Sequence, residues 1–256
     1  MTHSSAYLLV FHGSSDPRPE QSAHQLARFF AERIQYRGQG SEIVGVAALE
    51  SHSLALHQQI QHFCQQHDLY HPKFPTALAS TITLLPLFLL QGVHVIEDIP
   101  AEVMLAQQTL EPAVKLGVSP PLGCHPGLQR LIQERMAGQP MEVWILLAHG
   151  SRRPGANQTI KMLADRLGAI PAFWAVPSDL ETRLQELARL GLRRIGIFPY
   201  FLFMGSTTDA IAHRVRALTQ QFPALSLTLE IPLTASPEMA DFLVELAQIP
   251  VGVEGE

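Results

Sequence analysis

Apolar residues along this chain follow two alternating patterns: short unbroken runs, and longer stretches with an apolar residue every third or fourth position. The runs at 7–11, 43–49, 81–90 and 113–118 predict strands covered on both faces, since such strands read as continuous apolar sequence. Between them, residues 21–36 place Ala23, Leu26, Phe30 and Ile34 on one helical face. Residues 53–63 do the same with Leu54, Leu56, Ile60 and Phe63, and 101–110 reads as a third helix. A fourth, 125–136, is opened by Pro126, because proline is pre-set for a helix's first turn. A polar, proline-bearing segment, 65–75, separates the second helix from the third strand.

The pattern then restarts. The run 143–148 leads into HGSRRPGANQ as 7–11 leads into HGSSDPRPE, so His149 answers His12, 137 positions on. Ser178, with Glu181 three residues later, carries a capping-box signature at a helix start. FPYFLFMGSTTDAI, within and after the run 195–203, repeats LPLFLLQGVHVIEDI, with Gly205 answering Gly92, 113 positions on. A strand at 225–231 and a helix at 237–247 close the second half as 113–136 closes the first. The two spacings differ by 24 residues, which assigns extra length to the first half, placed here in the 65–75 loop. The expected fold is therefore α/β: two similar, doubly wound, mostly parallel halves from an internal duplication, helices on both faces, with a cleft between them. The expected division is 1–138 and 139–256.

Composition narrows the class. The chain has 256 residues, 46% hydrophobic and 16% charged, enough apolar material for sizeable cores. A net charge of −5 and a pI near 6.2 argue against a nucleic-acid surface, which needs a basic excess to neutralise phosphates. The run 82–90 is far short of the roughly 20 residues of a membrane span and contains Pro86. The first residues lack a basic segment ahead of an apolar core, so a cytoplasmic location is expected. Cys64 and Cys124 form no CxxC pair, which suits a reducing compartment and argues against an iron–sulfur or structural zinc centre.

The candidate chemistry lies at strand exits, where ligands bind in α/β sheets. His12 follows the first run, Glu50 the second, and His94 the third, just past Gly92. Neutral imidazole suits borderline cations such as iron, cobalt, nickel and zinc, and a carboxylate from a neighbouring edge completes a ligand set. His12, Glu50 and His94 are therefore the expected metal ligands. His52, His57, His62, His67 and His71 fall on a helix and a polar loop and read as solvated surface.

HGSxxP at the first strand exit, LE at the second and LPLFLLxGxHxxxDIP at the third resemble the class II tetrapyrrole chelatases, the sirohydrochlorin chelatases of the CbiX and SirB type in their long two-half form. The segment PPLGCHP, 120–126, is similar to one that those proteins carry after their fourth strand. The resemblance implies a lyase that inserts a divalent metal into sirohydrochlorin in sirohaem or cobalamin biosynthesis. It also implies that His12 and His94 bind the metal and accept protons, with Glu50 assisting. Fe2+ or Co2+ is then substrate, Ni2+ or Zn2+ a substitute in vitro, and no permanent cofactor is expected. ATP is not expected either, for no GxxxxGK[ST] loop is present. One departure stands in the first motif, where Ser15 occupies a place often filled by Arg, as Arg152 does in the second half.

In the second half His149 answers His12, but Thr207 answers His94, and matching Leu54 to Leu180 sets Val176 opposite Glu50. The first half is therefore expected to be catalytic and the second degenerate, with His149, Arg152 and Arg153 as candidate contacts to the macrocycle's carboxylates. Two fused halves let a monomer suffice. The alternatives are a non-catalytic carrier of tetrapyrrole or metal, and a phosphatase-type hydrolase. The second lacks support: Phe11 and Ala148, not Arg, precede the two HGS histidines, and no GxSxG elbow is present.

Overall fold

The computed structural model describes residues 5–36, 42–67, 69, 80–112, 114–151, 155–249 and 251–252. The first half runs β1 (Ser5–Phe11), α1 (Pro17–Tyr36), β2 (Ile43–Ala48), α2 (Leu56–Gln66), β3 (Ser80–Pro86), a π-turn at His94–Asp98, α3 (Ile99–Thr109), β4 (Val114–Val118), a 3₁₀ turn at Leu122–Cys124 and α4 (Pro126–Ala137). The second runs β5 (Val143–Ala148), α5 (Gln158–Leu167), β6 (Ile170–Phe173), α6 (Asp179–Arg189), β7 (Arg194–Pro199), α7 (Ser206–Gln221), β8 (Ser226–Leu229), α8 (Pro237–Leu246) and β9 (Val251–Gly252). The expected α/β duplication is present. One sheet has the order β2-β1-β3-β4 with β9 added antiparallel, the other β6-β5-β7-β8, all parallel.

Within the first sheet, alternation along β1 divides its side chains between two faces. Leu8 and Val10 pack with Leu56 and Ile60 of α2 and Ile99 and Val103 of α3. Tyr7 turns to the other face, edge-on to Phe30 of α1 at 5.2 Å. In the second sheet Ile145 and Leu147 pack with Leu184 of α6 and Ile211 and Val215 of α7.

The compact units do not follow chain order. One comprises 1–128 with 235–256, the other 129–234. The last helix of the second half, α8, packs on α1, where Asp241 lies 3.0 Å from Arg33. Most of α4 belongs to the second unit, where Arg135 donates to Glu230 at 2.7 Å and lies over the Phe198 ring. An amphipathic helix needs a complementary apolar face, and its hydrophobic pattern does not say which copy supplies it.

Strand register corrects two expectations, and the start of α6 corrects a third. Phe11 pairs with Ala48 and Val10 with Pro86; in the second sheet Ala148 pairs with Phe173 and Leu147 with Pro199. Counted between these equivalent positions, the extra length splits evenly about β2. Part of it is α1, with 20 residues against 10 in α5, and the rest follows β2; residues 68 and 70–75 of the 65–75 segment lie outside the described residues. The same register puts Ala175, not Val176, opposite Glu50: the Glu50 N–H donates to the His12 carbonyl at 2.8 Å and the Ala175 N–H to the His149 carbonyl at 2.8 Å. Finally, Ser178 precedes α6 with φ +60° and its hydroxyl makes no cap, while Glu181 turns to Arg214.

Candidate metal site

β1 neighbours β2 on one side and β3 on the other, so the exits of β1 and β3 flank the point where the strand order reverses, the usual ligand crevice of an open α/β sheet. His12 leaves β1 there. Its Nδ1–H donates to the Gly13 carbonyl at 3.2 Å, leaving the Nε2 lone pair free. Gly13 has φ +93°, and a Cβ on it would stand 1.8 Å from the Glu50 carbonyl oxygen, so only glycine permits this approach of the two loops. Glu50 follows β2, and its Oε2 lies 4.0 Å from His12 Nε2. The next residue, Ser51, is itself left-handed at φ +56°, which turns the chain sharply after the carboxylate.

The third side chain depends on a local irregularity. The run expected as a strand to residue 90 leaves the ladder at Pro86, and Gly92 then opens a helix by accepting from Val95 and Ile96. The first turn is π, with the Ile99 N–H reaching back to the His94 carbonyl. Pro100 lacks the N–H that Ile96 would otherwise receive, and its ring crowds that carbonyl, which favours a widened turn. The duplication exposes the inserted residue: Gly92 and Gly205 are 113 apart, but the buried Ile99, Val103 and Ala106 match Ile211, Val215 and Leu218 at 112. In the second half α7 begins directly at Ser206, and Ala212 replaces the proline.

This turn sets His94 over Asp98. His94 Nδ1–H donates to Asp98 Oδ2 at 2.7 Å, so its Nε2 lone pair is also free. The His12 and His94 rings lie 4.8 Å apart at 87°, with Phe88 within 6.3 Å of both. One ligand atom from each of His12, Glu50 and His94 lies within 4.8 Å of the other two. All three side chains reach solvent, at 53%, 53% and 36% exposure. The three sequence candidates thus meet, and among the described residues no other group of three such side chains does.

Asp98 and Phe88 escaped the sequence reading. The signal for Asp98 was present, a carboxylate four residues after His94 at the start of a helix. His57, expected on the surface, is half-buried and bonds Glu102 through Nδ1 at 2.8 Å, whereas His52, His62 and His67 are exposed. His71, Arg152 and Arg153 lie outside the described residues. A cavity of about 440 Å³ at the outer edge of β2, lined by His24, Arg28, His62 and Phe63 among others, includes none of the three converging side chains. Burial pushes the Cys64 thiol up to about 11, and the packing around the exposed Cys124 pushes it up, partly offset by a hydrogen bond with Gln91.

The CbiX family model matches residues 6–139 and then, a second time, 143–248. The chain belongs to the CbiX family. Within it, the chain is similar to a sirohydrochlorin cobaltochelatase of Priestia megaterium, 24% identical over 194 residues, 70% of this chain and 62% of that protein. It is likewise 26% identical over 190 residues to a sirohydrochlorin ferrochelatase of Bacillus subtilis, covering 70% and 72%. The fold is that of SirB from Bacillus subtilis solved with Fe3+, at a TM-score of 0.69, 22% identity, and 96% and 94% coverage. CbiX, described as the terminal enzyme for siroheme biosynthesis in denitrifying bacteria, follows at a TM-score of 0.59 and 20% identity, covering 95% and 98%. No helix among the described residues is long and apolar enough to cross a membrane.

Proposed function

We propose that this CbiX-family chain is a sirohydrochlorin chelatase, inserting Fe2+ or Co2+ into the macrocycle without ATP. The observation that carries the reading is the convergence of His12, Glu50 and His94 at the switch point of the first sheet, with both Nε2 lone pairs free. Two imidazoles and a carboxylate form a borderline ligand set suited to both ions. The same segment exposes Leu90, Val93 and Ile96, an apolar ledge beside His94 of the kind that a flat ring can rest on.

Insertion exchanges two pyrrole N–H protons for one M2+. The ion is held by His12, His94 and Glu50; as it passes to the four ring nitrogens, the two freed imidazoles take one pyrrole proton each, and the carboxylate offsets the resulting charge. Histidine suits this exchange because its neutral and protonated forms interconvert near working pH. Asp98 holds the His94 ring in the tautomer that leaves Nε2 free and stabilises its imidazolium. The second half, with Ala175 and Thr207 at the equivalent positions, keeps one of the three groups and is the degenerate copy. The protein acts as a cytoplasmic monomer. A carrier would bind ring and metal without joining them, so the test is loss of the metal-free sirohydrochlorin absorbance with Fe2+ or Co2+. Acceleration over the spontaneous rate is expected with at least one of the ions, and a rate equal to the spontaneous one with both overturns the proposal.

Asp98→Asn is expected to weaken Co2+ binding about 10–100-fold, the usual cost of losing a carboxylate behind a metal-binding histidine. The melting temperature should stay within about 2 °C, since a surface change of this kind moves stability little. A cobalt titration followed by visible absorbance checks the first statement, and a thermal melt followed by circular dichroism checks the second. Unchanged affinity would remove Asp98 from this role.

A further inference from the structure

The segment joining β3 to His94 is pinned from below by a turn that the site itself does not use. The Leu87 N–H donates to the Val10 carbonyl at 2.7 Å, and the Gly123 N–H donates to the Phe88 carbonyl at 2.8 Å. A Cβ on Gly123 would stand 2.0 Å from the Leu89 carbonyl oxygen, so the two backbones touch. The neighbouring Cys124 bonds the Gln91 side chain. Phe88, which flanks both site imidazoles, and the residues leading to Gly92 are thereby held by the 3₁₀ turn Leu122–Cys124.

That turn is fixed in its own right by His125. The His125 side chain is 8% exposed and makes three contacts: Nδ1 accepts the Gly127 N–H at 3.1 Å, Nε2–H donates to Glu245 at 3.0 Å, and the ring stacks on Phe242 at 4.5 Å and 18°. Both Phe242 and Glu245 belong to α8, so a helix of the second half is seated on the turn that holds the Phe88–Gln91 segment. A Cβ on Gly127 would meet the Phe242 ring at 2.5 Å, so the ring packs directly on this stretch of backbone.

We infer that His125 is a positioning residue: by tying α8 to the Leu122–Cys124 turn it fixes the Phe88–Gln91 segment, and with it the distance from His94 to His12 and Glu50. This rests on the proposed reading of those three side chains as metal ligands. A buried histidine that served packing alone would be replaceable by any ring of its size, without consequence for the metal. Ring and hydrogen bonds can be separated. His125→Phe keeps the stack on Phe242 and removes both nitrogens, and Glu245→Gln keeps an acceptor for Nε2–H.

In the full-length protein, Co2+ titration without macrocycle should show roughly tenfold weaker binding for His125→Phe, comparable to loss of an outer partner of a metal ligand. In the insertion assay its KM for metal should rise while the KM for sirohydrochlorin stays unchanged. Glu245→Gln should bind Co2+ as the wild type does, and Glu245→Ala should fall between the two. Glu245 is largely exposed, so its variants remain testable if His125→Phe does not fold. Wild-type Co2+ affinity in folded His125→Phe, or in Glu245→Ala where the former is unfolded, overturns the inference. Failure of the functional proposal looks different: wild-type protein then binds Co2+ but inserts none, while the affinity series still decides the role of His125.

Discussion

His94→Ala is expected to lower metal insertion by at least about a hundredfold while leaving the protein folded. On the proposed scheme the substitution removes one of three ligand atoms gathered within 4.8 Å and one of two proton acceptors. A positioned base alone contributes about 10²–10⁴-fold to a proton transfer. Removing a partly exposed side chain from a helix's first turn costs little stability, so a fall in rate reflects the chemistry. Asp98 then loses the imidazole that it orients and becomes an ordinary exposed carboxylate. The measurement is the decay of metal-free sirohydrochlorin absorbance with Fe2+ and with Co2+, alongside the same substitution at the exposed His62 of α2. Insertion by His94→Ala at the wild-type rate would take this residue out of the scheme.

A chain ending after Gly138 is expected not to persist as a folded monomer, although it contains the whole of the first repeat. The cut removes α8 and β9, both of which belong to the unit that carries the site. On α8 the side chains of Met239, Phe242, Leu243, Val244 and Leu246 are buried. At about 1.5–3 kcal/mol for each large apolar side chain, their loss approaches or exceeds the ~5–15 kcal/mol by which a domain is stable. It also strips Phe242 from the His125 ring and Asp241 from Arg33. The fragment should elute as aggregate or higher oligomer and lack a cooperative melt, as checked by light scattering and circular dichroism. A monomeric fragment that melts cooperatively would show that the first repeat stands without α8.

Much of this was legible in the residues. The apolar runs before His12, Glu50 and His94 identify three buried strands, and parallel strands joined by helices put their carboxyl ends on one edge. Convergence of the three side chains follows from that rule without any distance being known. The same logic located the duplication and the loss of two of the three groups in the second copy. The exact counterpart of Glu50 was not legible, because a helix alignment carries a one-residue error across a loop whereas a backbone ladder fixes it at Ala175. The π-turn was hidden because its single inserted residue leaves the apolar spacing of α3 intact; Pro100 was its only local mark.

Sequence by itself determined the α/β class, the repeat and the identity of the three converging side chains, because period and strand ends are local properties of the chain. Tertiary structure alone decided which copy of the sheet α8 covers, and hence that a helix of the second half packs on α1 and His125 of the first. The reason lies in the hydrophobic effect, which is non-directional: an apolar helix face specifies that it must be buried, and only shape and specific contacts such as His125 with Phe242 and Glu245 choose the partner.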